Sequence, residues 1–270
     1  MIIDFHTHIF PNKIAKNAVE NLAKQANVIP YSNGTVEGLV ENMQNGGVDI
    51  AVVLPVLTSP KQFDSVLRFA KEINENYSNT EKKIISFAGI HPNCENVCEK
   101  IKLIKEQGFL GIKIHPDYQN TFIDDEKYIS IILLAKENDL IVVTHAGVDD
   151  GFPNEPVKCP PERALKVIEK VNYNKLVFAH YGGSKMWVDV EKYLCDKDVY
   201  FDTGFTFNNI TKEQFLNILL KHGEDRVLFA TDLPWQDMKY SVDKLKSFNL
   251  PQKVLDKILY KNALKLLKME

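Results

Sequence analysis

The sequence carries seven histidines, His6, His8, His91, His115, His145, His180 and His222, and all but His222 fall at or near the C-terminal end of a short apolar run. Neutral imidazole and carboxylate are preferred ligands for zinc and similar divalent ions, and a catalytic site uses about three or four such groups while leaving a position for water. His6, His8, His145 and Asp232 supply that set. Taken singly, a histidine such as His91 reads more readily as a capping or core residue, and Asp232, in Thr-Asp-Leu-Pro, as a helix N-cap. Taken together they do not, because a lumen that collects imidazoles without an ion would carry unpaired polar groups.

The elements that must position these groups are eight runs rich in Val, Ile, Phe and Leu: Ile2 to His8, Ile50 to Val56, Ile84 to His91, Leu110 to His115, Leu140 to His145, Leu176 to His180, Val199 to Thr203 and Val227 to Asp232. They read as buried strands. Between them lie helical spacings such as Ile14, Ala18 and Leu22, or Leu165, Ile168 and Val171, with Pro160-Pro161-Glu162 and Pro251 as helix starts. Repeated strand and helix units with right-handed crossovers predict a (β/α)8 TIM barrel of α/β class, a single domain over residues 1–270, with an open doubly wound sheet as the alternative. Period-two alternation then puts Asp4, His6 and His8 on the lumen face of the first strand, with Ile3, Phe5 and Thr7 toward the helices. It puts Gly111, Lys113 and His115 inward in the fourth. His145, His180 and Asp232 come last on the inward faces of the fifth, sixth and eighth.

Composition narrows the partners. Lys plus Arg number 33 against 36 Asp plus Glu, a net charge of -3, which offers no basic field for nucleic acid or anionic lipid. No apolar stretch approaches the roughly 18 to 20 residues of a membrane span, and no leader precedes the first run. Four cysteines are too few for a disulfide scaffold, and Cys94 and Cys98 lack a second ligand pair, so they read as reduced thiols of a cytoplasmic protein. A small-molecule substrate is expected. Nothing identifies an interface, and a homo-oligomer stays open.

Five motifs stand in barrel order: Asp4-Phe-His6-Thr-His8-Ile-Phe-Pro11, Gly111-Ile-Lys113-Ile-His115-Pro116, Thr144-His145-Ala-Gly147, His180-Tyr-Gly182-Gly183 and Ala230-Thr-Asp232-Leu-Pro234-Trp235. With them the chain resembles the amidohydrolase superfamily over nearly its whole length, in the amidohydrolase-related branch that includes aminocarboxymuconate-semialdehyde decarboxylase. The resemblance implies that His6, His8, His145 and Asp232 hold the catalytic ion and that His180 lies near the attacking water and the developing negative charge. A bound divalent ion brings the pKa of water to about 7, and Asp232 would serve as ligand and base together.

Lys113 is ambiguous. In two-metal members of the superfamily a fourth-strand lysine is carboxylated and bridges the ions, which here would make Lys113, His145 and His180 ligands of a second metal. The branch implies one ion, expected to be zinc, with Lys113 free to meet a substrate carboxylate; the bland reading is a snorkelling lysine paired with an inward acid. His91, His115, Trp235 and Asn208 are candidates for substrate contact, as are Tyr181, Phe205 and Phe207. Asp149, Asp150, Asp124 and Asp125 read as loop and helix-start acids, and Arg163 as a solvated helix residue. The first expected function is a metal-dependent hydrolase of an amide, ester or lactone. The alternative is a metal-dependent non-oxidative decarboxylase of a small aromatic or muconate-like acid. A deoxyribonuclease is disfavoured because Lys113 replaces that branch's carboxylate, and a non-catalytic barrel because the ligand set is intact.

Overall fold

Strands that are apolar throughout are stable in a parallel sheet wrapped by helices, where both faces are buried. In the computed structural model, which describes residues 1–269, every one of the eight runs forms a strand. These are β1 (Ile3–Thr7), β2 (Ile50–Val53), β3 (Lys83–Ser86, resumed at Ala88–Gly89), β4 (Gly111–Ile114), β5 (Ile141–Thr144), β6 (Leu176–Phe178), β7 (Tyr200–Asp202) and β8 (Val227–Leu228). All pairings are parallel and sequential. Each strand is shorter than its apolar run, because the last residues leave the ladder for the loops.

The ring closes at two places. The first half of β3 pairs with β2 and the second half with β4, so β3 carries the sheet across Phe87. On the far side Phe5 N donates to Phe229 O at 2.9 Å, Asp232 N to His6 O at 2.8 Å and His8 N to Leu233 O at 2.7 Å, which joins β1 to β8. The result is a closed eight-stranded barrel.

Two apolar layers follow. Ile3, Phe5, Val52, Phe87, Val143 and Leu228 fill the lumen, closed from below by Ala263, Leu266 and Leu267 of the last helical stretch. Ala51, Ile84, Ile112, Val142 and Phe229 face the surrounding helices. This corrects the alternation expected for β1: Ile3 and Phe5 point into the lumen. Asp4 pairs with Ala51 and Thr7 with Val53, so Phe5 and His6 together oppose Val52 in a bulge. The bulge turns His6 inward although Phe5 is already there. In β4 the expected alternation is found, with Ile112 and Ile114 in the outer layer.

Helix α1 (Asn12–Ala26) also departs from expectation. Its buried stripe is Ala15, Val19 and Ala23 rather than Ile14, Ala18 and Leu22, and Ile14 is exposed. The helix lies over the mouth of the barrel, so Leu22 and Ala26 face the pocket. Pro160 and Pro251 cap helix starts as expected. Among the described residues, no helix is long and apolar enough to cross a membrane.

Candidate metal centre

The C-terminal ends of β1 and β8 bring His6, His8 and Asp232 into one cluster. His6 Nδ1 donates to Asp202 Oδ2 at 3.0 Å, and His8 Nδ1 donates to Leu54 O at 2.8 Å. With both Nδ1 atoms committed as donors, each neutral ring has its lone pair on Nε2. Those two nitrogens lie 3.1 Å apart, and Asp232 Oδ1 lies 3.3 Å from His6 Nε2 and 3.0 Å from His8 Nε2. Three lone-pair donors facing one another repel unless cations relieve them. Lys113 Nζ reaches His6 Nε2 at 3.0 Å, and among the described residues His8 Nε2 and Asp232 Oδ1 have no such ammonium beside them. A tetrahedral ion with bonds of about 2.0 to 2.1 Å separates its ligands by about 3.3 Å. The trio fits that spacing, and the donor set of two imidazoles and a carboxylate suits zinc, manganese and related divalent ions.

The charges agree. Burial, and then the Lys113 ammonium, hold the His6 imidazole well below its usual range, so it is neutral. Burial pushes Asp232 up, but His6 and His8 outweigh it and hold the carboxyl below the ordinary value. Lys113 Nζ lies 3.0 Å from His6 Nε2, fully enclosed, its pKa brought down to about 8 by burial against the pull of Asp202, Asp232 and Asp149.

Backbone conformation aims two of these groups. Asp232 has φ 65° and His180 φ 58°, both left-handed. Alternation from Val177, which faces the lumen, would turn His180 outward, so the left-handed turn is what returns its ring to the site. His180 Nδ1 then donates to Gly204 O at 2.8 Å, and its Nε2 meets His145 Nδ1 at 2.9 Å. A Cβ on Gly204 would lie 3.2 Å from His6 Nδ1 and from Asp232 Cβ, so glycine lets this loop pass close.

His145 stands apart from the trio. The groups whose ligand atoms all lie within 4.8 Å of one another are His6 with His8 and Asp232, and separately His115 with His145 and Asp149. His145 Nε2 faces Asp117 Oδ2 at 3.8 Å, and both atoms are buried without a hydrogen-bond partner. Burial raises Asp117 to about 6.

The cluster opens into a cavity of about 160 Å³ walled by Phe10, Leu22, Val28, Val148, Phe205 and Trp235. Among the described residues, Lys113 is the one lysine or arginine that lines it. His115 and Trp235 line it too, but two other candidates do not. Asn208 is exposed elsewhere, and His91 is buried away from the pocket, its Nδ1 accepting from Asn93 N at 3.1 Å in the turn that Pro92 begins. Tyr181 stacks on Phe215, Phe207 joins the core, and Arg163 grips Asp124 with both carboxylate oxygens. Asp149, which reads from sequence as a loop acid, lines the pocket. Asp202 and Asp117 were not singled out by the sequence. Asp202 stands one residue before the end of its apolar run, much as Asp232 ends its own, and that signal could have found it; Asp117 lies in a loop and carries no such signal.

A family model described as Amidohydrolase matches residues 3–269. The chain belongs to the amidohydrolase family. No curated protein matches it in sequence. Among solved structures this amidohydrolase-family barrel is similar to 5-carboxyvanillate decarboxylase from Novosphingobium aromaticivorans, complexed with manganese and a hydroxymethoxynitrobenzoic acid, at TM-score 0.74 and 15% identity, covering 99% of this chain and 96% of that one. It is similar to 2,6-dihydroxybenzoate decarboxylase from Rhizobium at TM-score 0.70 and 14% identity, covering 99% and 98%. A TIM-barrel protein from Bordetella bronchiseptica matches at TM-score 0.75 and 16% identity, covering 99% and 98%. At these identities the likeness is one of fold.

Proposed function

We propose that this protein is a divalent-metal-dependent, non-oxidative decarboxylase, a lyase, of a small aromatic or muconate-like acid. The observation that carries the reading is the setting of the trio: three ligand atoms at ion-binding spacing open onto a mostly apolar pocket whose one ammonium is Lys113. A flat apolar acid suits that setting, with its carboxylate near Lys113 and its ring against Phe10, Phe205 and Trp235. The decarboxylase names of similar structures support it, and the manganese bound by one of them supports manganese beside zinc as the ion.

When bound by His6, His8 and Asp232, the ion supplies Lewis-acid withdrawal of charge from the oxygens it touches. The chain's own residues orient the acid and exclude water. Lys113 keeps its charge at neutral pH and pairs with the substrate anion. The apolar walls favour departure of a charged carboxylate as neutral carbon dioxide, and a proton replaces it on the carbon. Asp232 and His180 are the groups we assign to proton handling; His180 is oriented by its Nδ1–H bond to Gly204 O, and its Nε2 accepts from His145 Nδ1. A second ion on His145 and His180 would need Lys113 carboxylated. Those two rings already satisfy each other at 2.9 Å, so we assign one ion.

Hydrolysis of an amide, ester or lactone is the second reading. Asp232, held ionised beside two imidazoles, is placed to accept a proton from water. To separate the two, manganese- or zinc-loaded protein is offered hydroxybenzoic and muconic acids in one series and aryl esters and lactones in another. Decarboxylation predicts carbon dioxide released one for one with acid consumed, reduced at least about a hundredfold in Lys113→Met and Asp232→Asn. Elemental analysis should give about one ion per chain, unchanged by Lys113→Met. Ester or lactone turnover with no carbon dioxide from any acid would replace the lyase by a hydrolase.

A further inference from the structure

A second pair of polar side chains lines the pocket, and neither the trio nor Lys113 makes use of it. His115 is fixed on three sides. Its ring stacks on His145 at 4.3 Å and 12°, meets Tyr118 edge-on at 4.7 Å, and accepts the Tyr118 N–H on Nδ1 at 3.4 Å. With Nδ1 accepting, the proton of the neutral ring sits on Nε2, which faces Asp149 Oδ2 at 3.5 Å. That separation is too long for a good hydrogen bond. The other carboxylate oxygen of Asp149 is taken by the Gly151 N–H at 2.7 Å.

The two side chains are 10% and 12% exposed, and both line the cavity. A donor and an acceptor therefore face one space from a wall that is mostly apolar but also carries Thr58, Asp150 and Ser184, and the two are poorly satisfied where unpaired polar groups are costly. His115, His145 and Asp149 also lie close enough to suggest a cation site. A ring nitrogen that carries a proton has no lone pair for an ion, which argues against one.

We propose that His115 and Asp149 form a specificity pair that reads a hydroxyl group on the substrate ring, the hydroxyl oxygen accepting from His115 Nε2–H and its proton going to Asp149 Oδ2. The assignment rests on the carboxylic-acid reading above and narrows it to hydroxylated single-ring acids. An apolar cavity of about 150 Å³ accommodates one benzene ring, and this one is about 160 Å³. A hydroxyl both donates and accepts. A second carboxylate would meet the charge of Asp149, an ammonium offers nothing to His115, and a methyl group leaves both unpaired. Burial, with Asp232 and Asp150 nearby, raises Asp149 only to about 6, so at pH above 7 it is an ionised acceptor.

Calorimetric titration of manganese-loaded protein at pH 7.5 with benzoate and with 2-, 3- and 4-hydroxybenzoate tests the pair. Asp149→Asn keeps an acceptor for Gly151 and presents an amide donor where the hydroxyl proton would go. His115→Phe keeps the stack on His145 and removes the N–H. At least one hydroxybenzoate should bind wild type about tenfold or more tighter than benzoate, and that advantage should shrink to about twofold in each variant. The readout is the ratio of hydroxybenzoate to benzoate affinity within each protein, so a change in carboxylate binding common to both ligands cancels. A hydroxyl preference that survives both variants overturns the pair, as does no preference, or no binding, in wild type. Binding is read without turnover, so a preference lost in both variants with no carbon dioxide from any isomer would sink the decarboxylase and keep the pair.

Discussion

Asp202 accepts the Nδ1–H of His6 at 3.0 Å, and through that bond it decides which nitrogen of His6 faces the trio. The same carboxylate accepts from Gly204 N at 2.9 Å and His180 N at 3.2 Å, so both its oxygens act as acceptors and it is fully enclosed. In Asp202→Asn the amide cannot accept from all of these partners at once. His6 is then free to move its proton to Nε2, where it blocks the ion. Loss of a carboxylate behind a metal-binding imidazole lowers metal affinity by about 10- to 100-fold. We expect that loss for Asp202→Asn in a competition titration with a chromophoric chelator, with the far-ultraviolet circular dichroism unchanged. Unchanged affinity would mean that the Asp202 bond does not set the His6 tautomer.

At the scale of elements, the lumen depends on one missing side chain. A Cβ on Gly111 would lie 2.4 Å from the Phe87 ring and 2.6 Å from Ile141 O, so β4 must carry glycine where β3 delivers a phenylalanine. Overpacking of this kind costs about 1 to 3 kcal/mol. Gly111→Ala should lose that much in urea denaturation, and Phe87→Leu should restore part of it in the double variant, because the clash with the ring goes while that with the Ile141 carbonyl stays. Simple addition of the two losses would show that the sites do not meet. Gly111 also shows how far sequence reading reached. Apolar runs, six of the eight ending in His or Asp, located all eight strands, and alternation in β4 correctly set Gly111 and Lys113 inward, because that strand is regular. Alternation failed in β1, where the bulge between Asp4 and Thr7 adds a residue, and at His180, where a left-handed backbone reverses the count; neither leaves a local mark in the sequence. The sequence does not mark Asp117, and marks Asp149 only as a loop acid, for a related reason. They come from loops, and what brings them to His145 and His115 is tertiary packing rather than any periodic pattern.

On the scale of the whole molecule, the histidine outside the site shows how its stability should respond to acid. His222 is buried far from the trio, stacked on Phe201 at 3.8 Å and donating through Nε2 to Val199 O at 3.0 Å, with Nδ1 unpartnered. Burial lowers its pKa from 6.5 to about 4. The unfolded chain therefore takes up a proton as pH falls through 6.5, while the folded chain stays neutral until about pH 4. In that window the unfolded state binds more protons, so the contribution of His222 is complete above pH 6.5 and is lost on acidification. Between pH 7.5 and 5 the loss amounts to about 2 kcal/mol from this one residue. Other buried imidazoles add to the total, so wild type alone cannot isolate it. His222→Gln keeps a side-chain donor and does not titrate; it should be less stable than wild type at pH 7.5 because the stack on Phe201 is gone, yet its fall in unfolding free energy from pH 7.5 to 5 should be about 2 kcal/mol smaller. Parallel pH profiles for the two proteins would mean that His222 titrates in the folded barrel as it does in the unfolded chain, and the buried, neutral ring described for it would be wrong.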